Sequence, residues 1–285
     1  FKETSILSLP QQKYFNKISF FEDYEVKEHL ALLKKEKFDL VIELPQELDS
    51  IWVQIRNMFF FRFAGIKHGL GWTAGNSYLF AKWQYFNVDF KRIWQIHAQN
   101  LKQSLAIEFK EFYTGISEME CKFQLPESYI VVCPEAKYLS KMWPKENFKN
   151  LVQDLLSQGE NVVVLGQKLN LNLPKVPNYF NLVGQTNLEE LQIVIKNAQL
   201  FIGNDSGPMH MAYSNQTPLI ALFGTRNYPK LWWPPKSPQN VVFHQPVHAK
   251  RYAYIKDSNT NSQECEALNS ISVDDVLEGV SKILN

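Results

Sequence analysis

From residue 129 onwards the chain alternates two kinds of hydrophobic pattern. Short unbroken apolar runs, rich in β-branched residues and ended by polar residues or glycine, occur at 129–136 (YIVVCPEA), 161–167 (NVVVLGQ), 200–205 (LFIGND), 218–224 (PLIALFG) and 240–244 (NVVFH). A strand covered on both faces has this composition, because neither face meets water. Between the first two runs Phe148, Leu151, Val152, Leu155 and Leu156 recur at helical spacing behind Pro144, and Gly159 marks the stop. That order is one βαβ unit. A second helix is predicted over 186–198 (TNLEELQIVIKNA), with Thr186 and Glu189 in a capping-box pattern. A last helix is predicted over 272–284, opened by Ser272 and Asp275. Repetition of such units implies a parallel sheet with right-handed crossovers.

The first half is less regular. A helix is predicted over 25–36 and a strand over 37–44 (KFDLVIEL), within a stretch that is otherwise rich in aromatic residues, among them FFFRF at 59–63. Polar residues and Pro126 interrupt the pattern at 121–128 (CKFQLPES). This places a boundary between an N-terminal domain, residues 1–125, and a C-terminal domain, residues 126–285. No repeat or low-complexity tract is visible.

Composition acts mainly by exclusion. In 285 residues, 30 basic side chains face 29 acidic ones, so nothing favours nucleic acid as a partner. Cys121, Cys133 and Cys265 are far apart and show no metal-ligand or redox spacing, which fits structural thiols in a reducing compartment. The most apolar run, MFFFRF at 58–63, is broken by Arg62 and flanked by Arg56 and Lys67, far short of a bilayer span. Neither a basic start nor a small-residue cleavage site follows Phe1, so no signal peptide is read and a cytoplasmic protein is expected.

Ligands of open α/β sheets bind beyond the carboxyl ends of the strands, so the residues that follow each strand carry the chemistry. After the run ending at Gly203, Asp205 and Ser206 are placed to cap the next helix, Gly207 allows close approach to the backbone, and the first-turn amides present partial positive charge. His210 stands one turn further on, in reach of a phosphate oxygen. The plain alternative is an ordinary capped helix with a half-buried histidine. Two other strand ends, at Gly166 and at Gly224 with Thr225, also present small residues and donors, as a nucleotide pocket requires. Lys141 is the best-placed cation to neutralise a diphosphate, with Lys137 second; a solvated loop charge is the alternative for each.

Other motifs carry less. GLGWTAG at 69–75 has the outline of a dinucleotide fingerprint but the spacing G-x-G-x-x-x-G and no clean strand-to-helix transition, so a loop is expected. No Walker loop, GxSxG, HExxH or D-x-D pair is present, and no metal site or cofactor is expected.

Residues 181–234 resemble the bacterial family 9 glycosyltransferases, the lipopolysaccharide heptosyltransferase family. The likeness rests on the ordered series GNDSGPMHMA, a TP before a strand, LFGT and WWP, with LSKMWP at 139–144 matching the family's K-x-W-P element. Weaker similarity runs from KFDLVIEL and RFAGIKHGLGW to the terminal ECEALNSISVDDVLEGVSKIL. The resemblance implies a GT-B fold, two Rossmann-like domains facing a cleft. The C-terminal domain would bind the nucleotide sugar and the N-terminal domain the acceptor, with inverting, metal-independent transfer. ADP-heptose is the first donor to try and a lipopolysaccharide-type glycan the acceptor. Asp205, Ser206, Gly207 and His210 would then hold the donor while Lys141 stabilises the leaving diphosphate.

Two departures stand out. The family's first strand and G-D loop, whose aspartate is the proposed base, have no counterpart in residues 1–24, so the base is unassigned; Glu22 and Asp23 are posed as substitutes against a surface-loop reading. An N-terminal domain missing its first strand, and a catalytically inactive binding or scaffold protein of the same fold, follow as alternatives. The family's P-G-A appears as Pro134, Glu135 and Ala136, and the acid that some members carry after the equivalent of Gly166 is replaced by GQKLNLN. A lipid-linked acceptor would bring the protein to the inner face of the cytoplasmic membrane. Arg56–Trp72 is the candidate contact, against the alternative of a helix whose phenylalanines face a core.

Overall fold

The computed structural model describes residues 26–42, 51–70, 121–224, 232–234, 237–243 and 265–285. The chain divides into two compact units, Phe1–Glu111 and Phe112–Asn285. The expected break after residue 125 falls inside the second unit, because Cys121, Phe123 and Leu125 pack against that unit's core and Lys122 pairs with Glu190 at 2.6 Å.

In the first unit, helix α1 (Val26–Glu36) leads to β1 (Leu40–Ile42), and helix α2 (Ile51–Phe63) to β2 (His68–Leu70). The two strands pair in parallel, Leu40 opposite His68. Gly69 and Leu70, expected in a loop, therefore lie in a strand. Leu33, Ala64 and Ile66 form the buried centre, with Leu30, Val41, Phe60 and Phe61 packed around them. Trp52, Met58, Phe59 and Phe63 of α2 remain exposed, so the aromatic run is only partly a core face.

The second unit is built on six parallel strands: β3 (Ile130–Cys133), β4 (Val162–Val164), β5 (Tyr179–Asn181), β6 (Leu200–Asn204), β7 (Leu219–Leu222) and β8 (Asn240–Phe243), in the order β5-β4-β3-β6-β7-β8. Period-two alternation sends successive strand residues to opposite faces, and both faces are covered. On one face Ile130, Val132, Val162, Val164, Ile202 and Ile220 pack against helix α3 (Lys145–Ser157), the short α6 (Glu266–Asn269) and α7 (Val273–Leu284). On the other, Val131, Val163, Phe201, Leu219 and Ala221 meet α4 (Leu188–Lys196) and α5 (Gly207–Ser214). Burial on both sides is why these strands read as unbroken apolar runs. Both edge strands, β5 and β8, are only half-buried; β8 still reads as an apolar run through Val241, Val242 and Phe243, whereas β5, only Tyr-Phe-Asn, does not. Among the described residues no helix is long and apolar enough to cross a membrane.

The topology fixes where a ligand can sit. From β3 the chain winds outward to β4 and β5, returns to β6 on the other side of β3, and then continues to β7 and β8. The order reverses between β3 and β6, which opens a crevice at their carboxyl ends.

Candidate donor site

At that crevice β6 ends in Asn204, a fully buried amide. Its Nδ2 donates to the Pro134 carbonyl and its Oδ1 accepts from the Trp143 N–H, both at 2.9 Å. One side chain thus ties the loop after β3 to the segment that carries Lys141. Trp143 anchors the far side: its ring is wholly buried, edge-on to Phe148 at 4.9 Å, and its Nε1 donates to the Ile271 carbonyl at 2.9 Å. Between these fixed points Leu139–Lys141 forms a single 3₁₀ turn.

Held in this way, Lys141 Nζ donates to Asp205 Oδ2 at 2.6 Å. His210 Nε2 stands 3.7 Å from the other oxygen, Oδ1. Asp205 is 6% exposed whereas the His210 side chain is 41% exposed, so the acid lies beneath and the imidazole looks outward. Burial pushes the Asp205 carboxyl up. The contact with His210 and the charge of Lys141 outweigh burial and hold it down at about 2. At neutral pH the Asp205 carboxylate is ionised and lies between the Lys141 side chain and the His210 imidazole.

The helix start next to it differs from the expected cap. Ser206 occupies the N-cap position of α5 with extended backbone, but its hydroxyl makes no cap hydrogen bond and has no partner among the described residues, although shielded from solvent. Pro208 has no N–H to give. The amides of Met209 and His210 both turn to the Ser206 carbonyl, at 3.1 and 3.3 Å. The Gly207 N–H is left without a backbone acceptor among the described residues, and a Cβ at Gly207 would meet nothing within 4 Å. Open space at Gly207 thus adjoins the positive end of a helix, with a vacant amide there and a vacant but shielded hydroxyl beside it.

The other expected site residues fall as follows. Gly166 ends the β4 side of the crevice, and its bare Cα makes room for the Glu135 carboxylate, whose Oε2 would lie 3.0 Å from a Cβ. Gly224 follows β7. A Cβ there would meet Cys265 Sγ at 2.9 Å, Leu268 Cδ1 at 3.2 Å and the Ser140 carbonyl at 3.2 Å, so this glycine seats the Lys141 turn against α6. Lys137 lies over the Tyr138 ring at 5.5 Å, outside the Asp205 cluster. Thr225, Glu22 and Asp23 lie outside the described residues. Sequence reasoning missed Asn204, although the signal was present: a polar residue closing an otherwise apolar buried strand needs a partner for its amide.

An open parallel sheet that reverses at β3 and β6, with an ion cluster and a helix start at the reversal, belongs to the doubly wound α/β class whose ligands sit at a topological switch point. Within that class the chain belongs to glycosyltransferase family 9 (heptosyltransferase), whose family model matches residues 26–262. Lipooligosaccharide heptosyltransferase 2 of Haemophilus influenzae is 28% identical over 219 residues, covering 67% of this chain and 61% of that protein. Lipopolysaccharide heptosyltransferase 3 of Escherichia coli is 30% identical over 167 residues, or 55% of this chain and 47% of that protein. The match thus spans between 47% and 61% of the length of these relatives. Among solved structures, E. coli ADP-heptose lipopolysaccharide heptosyltransferase II is similar with a TM-score of 0.56 at 23% identity, covering 93% of this chain and 82% of that one. E. coli heptosyltransferase WaaC with ADP gives 0.55 at 15%, covering 90% and 77%. The shared fold is α/β with a parallel sheet, of the GT-B type.

Proposed function

We propose that the protein is an inverting glycosyltransferase that moves a sugar from a nucleotide diphosphate to a hydroxyl of a lipopolysaccharide core or related glycan. The observation that carries the reading is the Lys141–Asp205–His210 cluster beside the open start of α5. In such a transfer the acceptor oxygen attacks the anomeric carbon while the bond to the diphosphate breaks and negative charge gathers on the leaving group. Lys141, the Gly207 N–H, the Ser206 hydroxyl and His210 are the groups that meet that charge. Asp205 works through them. A buried carboxylate repels a phosphate, so its task is to keep Lys141 aimed, through the 2.6 Å contact. Lys141 brings positive charge from the protein itself, which supports transfer without a metal. ADP-heptose is the first donor to try, since the related WaaC structure holds ADP.

Such an acceptor lies at the cytoplasmic face of a membrane, and α2 suits a peripheral contact there. Trp52, Phe59 and Phe63 share one helical face and are exposed, with the exposed Arg56 and Arg62 on either side and Lys67 beyond. Aromatic rings at the headgroup boundary with cations meeting anionic lipid are the features of an interfacial helix.

The test is transfer from a panel of ADP-, UDP- and GDP-sugars, with and without chelator, by wild type, Lys141→Ala and His210→Ala. Each variant is expected to lose about 10²-fold or more in kcat. Wild-type turnover in both overturns the site. Tight UDP or GDP binding beside weak ADP binding overturns a heptosyl donor, and nucleotide binding without transfer to any acceptor would favour the non-catalytic reading.

A further inference from the structure

Glu135 carries a carboxylate that leaving-group stabilisation does not use. It follows β3 by two residues, at the place where the resemblance puts glycine, and its Oε2 accepts from three successive amides beyond β4. These are Gln167 N–H at 2.6 Å, Lys168 N–H at 2.9 Å and Leu169 N–H at 3.4 Å. Consecutive amides converging on one oxygen form an anion-binding nest. Here the nest is filled from within, and Gly166 leaves the space for the filling group. A ligand phosphate finds neither room nor favourable charge on this side of β3, which directs phosphates to Lys141 and His210 on the other side.

The second oxygen, Oε1, has no partner among the described residues, and Glu135 is only half-buried. β4 and β6 flank β3, so the carboxylate and the cation cluster stand about two strand spacings apart, roughly 10 Å. A ribosyl diphosphate spans such a gap with its phosphates at the cations and its sugar hydroxyls at the acid. A carboxylate only accepts hydrogen bonds, and a vicinal diol donates them. With Oε2 pinned by three amides, Oε1 is pre-positioned and little side-chain freedom is lost on binding.

We propose that Glu135 is a specificity-determining residue of the donor site, its Oε1 accepting from the ribose hydroxyls of the nucleoside diphosphate. This rests on the donor-site reading above. The experiment is calorimetric binding to the full-length protein of ADP, with UDP and GDP beside it, each against its 2′-deoxy and 3′-deoxy form. Wild type is expected to prefer at least one ribonucleotide about tenfold or more over a deoxy form, as for one charge-assisted hydrogen bond. Glu135→Ala should abolish that preference, whereas Glu135→Gln, which keeps an oxygen for the nest, should reduce it several-fold. A brace without contact to the sugar would instead weaken ribo and deoxy forms alike, with the preference intact. That result, or no preference in wild type, overturns the inference. Absence of all nucleotide binding overturns the donor-site reading together with this one, whereas Lys141-dependent binding without a Glu135-dependent preference overturns this one alone.

Discussion

Asp205 keeps its charge in surroundings that oppose it. Its carboxyl sits below the ordinary value of 3.8, at about 2, because His210 and Lys141 outweigh the cost of burial. The folded state therefore gives up this proton more readily than the unfolded chain. The resulting stability is complete above about pH 4 and is lost as the pH falls towards 2, worth about 2 kcal/mol in all. Thermal melts of wild type and Asp205→Asn between pH 5 and 2 check this: the wild-type Tm should fall more steeply below pH 4, and parallel curves would show that Asp205 is not the group responsible. Gly224 is a second single-residue case. Gly224→Ala puts a methyl group into Cys265, Leu268 and the Ser140 carbonyl, so overpacking should cost about 1–3 kcal/mol. Because Ser140 precedes Lys141, nucleotide affinity should fall along with stability. A stability loss with unchanged affinity would mean that the turn does not follow its neighbour.

Helix ends show how far the pattern of the chain could be read at the scale of the element. At α7, expected to open with Ser272 and Asp275, the two residues form a capping box, each side chain bonding the other's backbone amide. At α4 the same reasoning chose Thr186 and Glu189, but the structure uses Asn187 and Glu190, one residue later. Both pairs satisfy the spacing; the pair that forms is the one whose Glu190 also meets Lys122. Asn187→Ala should therefore cost about 1 kcal/mol in urea unfolding and Thr186→Ala close to nothing; the reverse order would restore the earlier register. Strands were legible where they form unbroken apolar runs, and the ion cluster where its members follow those strands. The partners of Glu135 and Asn204 were not, because a carboxylate in an amide nest and an amide bridging two loops depend on which strand ends are neighbours. For α2, vesicle flotation with anionic lipid decides between core face and contact surface. Wild type should float, and the variant with Arg56, Arg62 and Lys67 changed to Gln should float less; equal flotation, or none by either, removes this helix as a membrane contact.

At the scale of the molecule, the groups assigned to the donor all belong to one compact unit. Lys141, Asp205, Ser206, Gly207, His210 and Glu135 fall within Phe112–Asn285, whose sheet carries a hydrophobic core on each face. A unit that closes its own core and holds every residue of its site should fold and bind without the rest. Residues 112–285 expressed alone are expected to unfold in one cooperative transition and to bind the same nucleoside diphosphate as the full chain. Ligand at 100 times its Kd adds about 2.7 kcal/mol to the stability of a folded binding unit, enough for a rise of several degrees in Tm. The shift should vanish in Lys141→Ala of the same fragment. Transfer should be absent, because the family resemblance implies acceptor binding by the other unit. A fragment that melts without cooperativity, or one that folds but shows no Tm shift with a nucleotide the full chain binds, would mean that Phe1–Glu111 contributes to the donor site.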